Sequence, residues 1–207
     1  MSDDTRVRIL DAALALLAEE GLQALSHRAV EKRAEVSHGS TTYHFKTRDA
    51  LIEAMLARLV DIERGDLEQA VAACTERLAE GGGSGDPDLH AVMASMVTGL
   101  TSRQDLTLAR FELFLYAARR PHLQSVVADW RQTYVDLGAA VLAAEGATAP
   151  AAGSRLLAAV LDGLQLHQLS APHQDVEQLA VRWYALTLDA ALRLDPPAAQ
   201  DRRAVQD

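Results

Sequence analysis

Residues 25–48 read LSHRAVEKRAEVSHGSTTYHFKTR, and this stretch decides the fold. Ser26 is a preferred N-cap for a short first helix ending at Ala34, and Leu25 before it can form a hydrophobic staple with that helix. After a turn, Ser37 is predicted to cap a second helix that is too short and too polar to belong to a core. Two short helices that join through a tight turn, with apolar residues only where they meet, indicate a helix-turn-helix unit.

The second of these helices has the composition of a surface that reads the DNA major groove, and its side chains from Ser37 to Tyr43 are expected to face solvent. Short hydroxyls bond base edges, a threonine methyl can contact a thymine methyl, and Gly39 permits close backbone approach. Side chains after this helix, and at the start of the first one, are placed to bind phosphates or bases alongside. The residues predicted to contact DNA are Ser26, His27, Arg28, Ser37, His38, Gly39, Ser40, Thr41, Thr42, Tyr43, His44, Lys46 and Arg48.

Charge is unevenly distributed along the 207 residues. The formal net charge of −9 argues against a protein that coats nucleic acid non-specifically. Residues 26–48, however, hold five basic and two acidic side chains together with three histidines. Residues 1–48 are neutral in total, so the whole acidic surplus lies in residues 49–207. The sequence therefore excludes a polycation and permits a small basic surface that approaches DNA.

The chain as a whole is predicted to be all-α, because good helix formers dominate every long segment and alternating β-branched runs are missing. A first helix over residues 5–20 is ended by Gly21 at its C′ position. A long amphipathic helix over residues 48–80 follows the helix-turn-helix unit, with Gly65 as a possible soft point, and residues 81–85 are a predicted linker. Further helices are predicted near residues 87–101, 104–119, 122–145, 151–169 and 173–194.

The compartment is predicted to be the cytoplasm. The single cysteine, Cys74, cannot form an internal disulfide and fits a reducing environment. No segment is long and apolar enough to span a bilayer, and the residues after Met1 lack the basic and apolar regions of a secretory signal. We therefore expect no membrane partner.

Residues 9–56 read ILDAALALLAEEGLQALSHRAVEKRAEVSHGSTTYHFKTRDALIEAML, and they resemble the tetracycline-repressor (TetR) family of bacterial transcriptional regulators. The shared features are a helix ending in glycine, a Ser-x-Arg opening, a Val-Ser-x-Gly-Ser turn and a closing His-Phe. Two positions depart from the family. Glu35 stands where the turn usually has Gly, and a left-handed backbone there would cost about 1 kcal/mol. Thr42 stands where the reading helix usually has Tyr, with Tyr43 one place later.

The resemblance implies a homodimer with an N-terminal DNA-binding domain and a C-terminal domain that binds a small effector. We place these domains at residues 1–47 and 48–195, with a flexible tail over residues 196–207. The family's last two long helices usually form a four-helix bundle between subunits, and the matching segments here have apolar faces that suit this role. The residues predicted for that interface are Leu156, Leu157, Val160, Leu161, Leu164, Val181, Tyr184, Leu188 and Leu192.

Methionine and aromatic side chains on neighbouring predicted helices have two interpretations, a filled core or the lining of an apolar cavity. His167, on an apolar helix, is likewise either a core or interface residue or a ligand contact. The residues proposed for an effector pocket are Met93, Met96, Leu100, Phe111, Phe114, Leu115, Trp130, Tyr134 and His167.

Catalysis and metal binding find no support in the sequence, so we predict no catalytic residue, metal or cofactor. There is no nucleophile elbow and no phosphate-binding loop. His38 and His44 are six residues apart, and neither a cysteine nor a carboxylate completes a metal site with them.

The sequence therefore predicts a repressor that binds a palindromic double-stranded DNA operator as a dimer. Its two reading helices would enter successive major grooves about 34 Å apart. Release would follow the binding of a small molecule of unknown identity. Two alternatives remain: an architectural DNA-binding protein without an effector, and a helical ligand-binding protein without DNA specificity.

Overall fold

The computed structural model describes residues 2–80, 103–171 and 176–194, and all regular elements in these ranges are α-helices. This confirms the predicted all-α class. The helices are α1 (Ser2–Glu20), α2 (His27–Ala34), α3 (Ser40–His44), α4 (Arg48–Ala79), α5 (Gln104–Ala117), α6 (Pro121–Ala144), α7 (Pro150–Ser170) and α8 (Val176–Leu192). None of the described helices is long and apolar enough to cross a membrane.

Helices α1 to α3 form a compact unit at the start of the chain. Gly21 ends α1 with a φ of 74°, and its N–H donates to the Leu17 carbonyl at 2.9 Å. Ser26 caps α2 as predicted, since its Oγ accepts a hydrogen bond from the Ala29 N–H at 3.2 Å. The side chains at the centre of this unit include Ile9, Leu17, Leu25, Val30, Phe45 and Leu51.

The turn after α2 has the left-handed backbone conformation, although its sequence has Glu35 where glycine would adopt this conformation without strain. Glu35 has φ 52° and ψ 44°, and it is the residue other than glycine with a positive φ in the described part of the chain. The Val36 N–H donates to the Glu31 carbonyl at 3.2 Å, which closes the helix end. Arg8 of α1 donates to the Ala34 carbonyl at 2.8 Å. The surrounding contacts therefore hold a residue with a Cβ where glycine would be unstrained.

Helix α4 runs without interruption through Gly65, so the predicted soft point is not a break. It packs on α1, α5 and α6, and α5 also packs on α1. One continuous apolar cluster consequently joins α1–α4 to Leu113 and Ala117 of α5 and to Leu123 of α6. Two polar contacts also join α5 to the first part of the chain. Glu112 accepts from the Leu22 N–H at 2.9 Å, and the Tyr116 hydroxyl donates to Asp49.

A second apolar cluster lies where α6, α7 and α8 meet. Its buried members are Leu142, Leu157, Leu164, Leu188 and Ala191. Gly153 makes the close approach possible, because a Cβ there would lie 2.9 Å from the Ala191 carbonyl oxygen. The prediction that Leu157, Leu164 and Leu188 form an interface between subunits is therefore wrong. Helical spacing identifies an apolar stripe but not its partner, and the partner here lies in the same chain.

Several predictions fall outside the described residues. They are the 81–85 linker, the 87–101 helix with Met93, Met96 and Leu100, the side chains of Cys74, Val181 and Tyr184, and the 196–207 tail. The domain boundary at residues 47 and 48 stays a prediction.

Candidate nucleic-acid interface and ligand cavity

The short helix α3, which we call the reading helix, begins later than predicted. It starts at Ser40, and its N-cap is Gly39 with a φ of 86°. Ser37 therefore does not cap it, and the Ser37 hydroxyl instead lies 2.9 Å from the Ser40 hydroxyl. A side chain from outside the turn takes over the capping of this helix.

That side chain belongs to Glu31 of α2, which is only 5% exposed. Its Oε1 accepts hydrogen bonds from the Gly39 N–H at 2.9 Å and the Thr41 N–H at 3.1 Å. Its Oε2 lies 3.2 Å from Nδ1 of His38. A carboxylate at a helix N-terminus satisfies otherwise unpaired N–H groups and complements the helix dipole. Glu31 thus sets the start and the direction of the reading helix.

Sequence reasoning missed Glu31 because it counted this residue only as a negative charge. The signal was nevertheless present. Position 31 follows Val30 and precedes Ala34 by three, and both of these side chains are buried, so helical spacing places residue 31 on the inward face. A buried carboxylate requires hydrogen-bond donors, and the nearest donors are the free N–H groups of the next helix.

Most of the predicted DNA-contacting side chains are accessible. Tyr43 is 72% exposed, and the Lys46 ammonium lies 5.7 Å from the centre of its ring. Thr42 is exposed as well, and its Oγ1 lies 3.2 Å from Nδ1 of His27. The exposed members of the set are Ser26, Arg28, Ser37, His38, Thr42, Tyr43, Lys46 and Arg48, and the partly exposed ones are His27, Gly39, Ser40 and His44.

Thr41 is the exception, and its predicted DNA contact is wrong. Its side chain is 0% exposed, and its Oγ1 has no hydrogen-bond partner. It shares the inward face of the reading helix with Phe45, four residues later, which is also buried. Even a short polar helix packs one face against the domain, so a fully solvated reading helix was the wrong assumption.

Arg48 is exposed, and it also forms a hydrogen bond within the domain. Its guanidinium donates to the Leu22 carbonyl and so ties the start of α4 to the loop after α1. Its phosphate contact stays a prediction, as do those of the other accessible residues. In the described ranges, no three His, Cys, Asp or Glu side chains are grouped to hold a metal ion.

A cavity of about 400 Å³ lies between α6 and α7, with Arg110 contributed by α5. Trp130 and Tyr134, two of the predicted pocket residues, line it. Phe114 packs behind Trp130 with ring centroids 4.9 Å apart. Phe111 lies 5.3 Å from the Arg110 guanidinium, measured to the ring centre. The full lining is Arg110, Ala128, Trp130, Arg131, Gln132, Tyr134, Val135, Arg155, Ala158, Ala159, Leu161 and Asp162.

Two predicted pocket residues lie elsewhere. Leu115 is 70% exposed on the outer side of α5, and His167 is exposed near the end of α7. Neither lines the cavity. Both were chosen for residue type and proximity in sequence, and a shift of one position along a helix turns a side chain by about 100°.

Beside the cavity lies a buried polar cluster centred on Arg110, which is only 2% exposed. Its guanidinium donates to Glu63 Oε1 of α4 at 3.2 Å and to the side-chain oxygen of Gln165 of α7. The Tyr134 hydroxyl donates to Glu63 Oε2 at 3.2 Å. These contacts join four helices. Because the partners are 47, 55 and 71 residues apart, no local sequence pattern could have indicated them.

Burial controls the ionisation of this cluster. Loss of solvation raises the pKa of the Glu63 carboxyl, and the Arg110 charge beside it opposes that shift. Burial also raises the pKa of the Tyr134 phenol, which therefore stays neutral and donates a hydrogen bond to Glu63. The Trp130 indole N–H, directed at the same carboxyl, also opposes the rise of the Glu63 pKa, while the buried Arg110 Nε–H has no hydrogen-bond partner.

Comparison with known proteins identifies both parts of the chain. Residues 9–55 match the family described as bacterial regulatory proteins, tetR family, and residues 84–200 match a tetracyclin repressor-like, C-terminal domain. The HTH-type nicotine-responsive transcriptional repressor HdnoR of Paenarthrobacter nicotinovorans is 25% identical over 182 residues, which are 84% of this chain and 90% of that protein. The HTH-type transcriptional repressor KstR of Mycolicibacterium smegmatis is 32% identical over 114 residues, 55% of this chain and 52% of its own.

Solved structures are similar over nearly the full length. A TetR-family member from Streptomyces coelicolor A3 has a TM-score of 0.66 at 32% identity, covering 89% of this chain and 98% of its own. The multidrug binding protein EbrR, complexed with imidazole, has a TM-score of 0.64 at 32% identity, covering 94% of this chain and 93% of its own. EbrR has also been crystallised with ethidium and with malachite green.

Proposed function

Because this chain belongs to the TetR family of bacterial regulatory proteins, we propose that it is a dimeric repressor released from a palindromic operator by a small molecule. The reading helix supplies the operator contacts in this proposal. Thr42 and Ser40 contact base edges, while Tyr43, Lys46 and Arg28 bind the phosphates on either side. The exposure of Thr42, Tyr43 and Lys46, and the position of the Lys46 ammonium 5.7 Å from the Tyr43 ring centre, support these roles.

The observation that carries the effector part of the proposal is the position of Arg110. This residue lines the cavity and also bonds Glu63 on α4, the helix that begins four residues after the reading helix ends. Its own helix, α5, contacts the loop after α1 through Glu112. A ligand that changes the contacts of Arg110 therefore acts on helices that position the DNA-binding unit.

This switch requires a minimum difference in ligand affinity between two conformers of the protein. The ligand must bind the released conformer more tightly than the DNA-bound one, by about 5.5 kcal/mol for nearly complete release. Differential contacts at Arg110 can supply part of this difference, because charged hydrogen bonds in a buried site are strong. The cavity favours this function over an architectural DNA-binding protein, which would have no use for it.

The dimer interface is proposed on the outer faces of α7 and α8. Leu166, Trp183 and Leu186 are 53%, 41% and 61% exposed, and large apolar side chains at these levels are typical of an unpaired interface. A two-fold symmetric pairing of these faces would give the two reading helices the inverted relation that a palindromic operator requires. The half-buried residues retained from the original prediction are Leu156, Val160, Leu161 and Leu192.

Selection of binding sites from a random DNA pool tests the operator role. We expect a two-fold symmetric site to be enriched by the wild-type chain. Lys46→Ala should weaken binding to all sequences and reduce the slope of log K against log salt by about 1, whereas Thr42→Ala should change the preferred base at one position of each half-site. Arg193→Ala, directly after the end of α8, is the matched control for loss of a positive charge. Failure to enrich any site at moderate salt would contradict the proposal.

A further inference from the structure

We infer that the cavity between α6 and α7 binds an organic anion in which a carboxylate is joined to a compact apolar group. This inference rests on the proposed function, in which the same cavity is the effector site. It assigns a chemical class to an effector that the family leaves open.

The first argument is that the polar side chains on this wall of the cavity are hydrogen-bond donors. Arg110 and Trp130 line the cavity, and both side chains are more than nine-tenths buried. The Arg110 Nε–H has no hydrogen-bond partner, whereas the Trp130 indole N–H is directed at the Glu63 carboxyl. Buried N–H groups are rarely left unpaired, because removing them from water without a new acceptor is unfavourable. Neither side chain can accept a hydrogen bond, so an occupant with acceptor groups suits this wall better than one that offers only donors.

The second argument is charge. Three guanidinium groups, those of Arg110, Arg131 and Arg155, line the cavity against one carboxylate, that of Asp162. Asp162 is already engaged, with its oxygens 3.3 Å from Arg131 and 3.8 Å from Arg110. Within the described ranges Arg155 forms no ion pair, and it is exposed at the edge of the cavity. Because Arg110 is also paired with Glu63 behind the lining, the remaining positive charge is that of Arg155, which is free to bind a carboxylate in a bidentate manner.

A cationic occupant would find no free carboxylate. Glu63 does not line the cavity, and its two oxygens accept from Arg110 and Tyr134. Asp162 would have to leave its arginine partners. Arginine presents donors only and stays charged, so the cavity cannot adapt to a cation by losing protons.

The third argument is the apolar part of the lining, which excludes a purely inorganic anion. Trp130 and Tyr134 place their ring centroids 4.4 Å apart on one wall, and Val135 and Leu161 contribute aliphatic surface. A volume of about 400 Å³ is at the lower end of the range for small-molecule sites. A small hydrophobic body with one charged end fits both kinds of surface.

The test compares three probes that share one skeleton and differ in charge: adamantane carboxylate, adamantane carboxamide and adamantyl ammonium. Binding to the full-length chain is measured by isothermal titration calorimetry at one ionic strength. We expect the carboxylate to bind at least about tenfold more tightly than the carboxamide, and the ammonium to bind more weakly than both. Equal affinities for carboxylate and carboxamide, tighter binding of the ammonium, or no heat of binding from any probe would overturn the inference.

A substitution in the cavity lining tests whether Arg155 binds the carboxylate directly. Arg155→Gln should reduce carboxylate affinity about tenfold and leave carboxamide affinity within about twofold. Arg119→Gln removes the same charge from an exposed position outside the lining and should change neither. An equal effect of the two variants would contradict direct binding by Arg155.

Operator binding is measured separately on the same preparations, using a site selected from the random pool. Loss of the carboxylate preference with operator binding intact removes only the ligand class. Absence of operator binding, with the carboxylate preference present, instead contradicts the proposed repressor function and leaves an anion-binding protein.

Discussion

Two buried glutamates, Glu31 and Glu63, hold the two halves of this molecule in different ways. Each is 5% exposed. Glu31 is bonded to backbone N–H groups of Gly39 and Thr41, eight and ten residues along the chain. Glu63 is bonded to side chains, Arg110 and Tyr134, that are 47 and 71 residues away.

The two sets of partners indicate two roles: Glu31 fixes the local shape of one helix start, and Glu63 holds distant helices together. Backbone N–H groups at a helix start are fixed dipoles, so Glu31 determines where the reading helix begins but holds no distant element. Glu63 joins α4 to α5 and α6 by side chains whose positions depend on the whole fold. Loss of Glu31 should therefore damage the DNA-binding unit, and loss of the Glu63 cluster should damage the fold and its response to a ligand.

The largest expected effect is at Arg110. Arg110→Met leaves Glu63 buried without its counter-ion, and this should lower the free energy of unfolding by about 3–5 kcal/mol. Urea denaturation followed by circular dichroism measures the change. The double variant with Glu63→Gln should recover most of the loss, because no unpaired charge then remains. A double variant as unstable as Arg110→Met would show that packing by the arginine, rather than its charge, stabilises this region.

The pH dependence of stability distinguishes Glu63 from an exposed carboxyl. Burial raises its pKa, so the folded chain holds this proton more tightly than the unfolded chain. As pH rises from the ordinary glutamate pKa through the raised one, the unfolded state loses the proton first, and the free energy of unfolding falls. Above that window the contribution is constant. The difference in stability between wild type and Glu63→Gln, measured across this range, should therefore decrease; an increase would mean that Arg110 lowers the pKa.

A smaller effect is expected at Glu31. Glu31→Ala leaves two buried N–H groups unpaired and should lower the free energy of unfolding by about 1–3 kcal/mol. Affinity for every DNA sequence should fall as well, because the start of the reading helix is no longer fixed. Glu31→Gln keeps an oxygen acceptor and should lose clearly less. Equal losses for the two variants would contradict the capping role.

Two neighbouring threonines test which face of the reading helix meets DNA. Thr41→Val removes a buried hydroxyl that has no partner and should raise the free energy of unfolding by about 1 kcal/mol without changing sequence preference. Thr42→Val should leave stability within about 0.5 kcal/mol and change the preferred base. Thermal unfolding and site selection measure both variants. A change of preference in the Thr41 variant would return that residue to the DNA contacts.

The helices and the helix-turn-helix unit could be predicted from the sequence because their signals are local. Ser26 caps α2 as its residue type indicated, and Gly21 ends α1 where a glycine was needed. The start of the reading helix was predicted at Ser37 because that residue is also a good cap. Glu31 instead accepts from the Gly39 N–H, eight residues further along the chain, and only the folded turn brings the two together.

The cavity and the subunit interface were harder to predict because they depend on how helices choose partners. Trp130 and Tyr134, chosen by residue type, line the cavity, whereas Arg110, Arg131 and Arg155 were not considered, since arginine on a helix usually faces water. The apolar stripes of α7 and α8 were identified, but Leu157 and Leu188 turned out to pack within one chain. Periodicity defines a buried face and leaves open what covers it.

The smallest expected effect concerns the strained turn between α2 and the reading helix. Glu35 has a φ of 52°, a conformation that costs an L-residue about 1–2 kcal/mol, while glycine adopts it freely. Glycine also loses more entropy on folding, by about 0.5–1 kcal/mol, so Glu35→Gly should raise the free energy of unfolding by only about 0.5–1 kcal/mol. Glu35→Ala retains the positive φ and is the matched control for loss of the carboxylate. Because Arg8 and the Glu31 cap already hold this turn, the glycine variant should leave operator affinity unchanged; a weaker affinity would mean that the Glu35 side chain itself contributes to the DNA-binding surface.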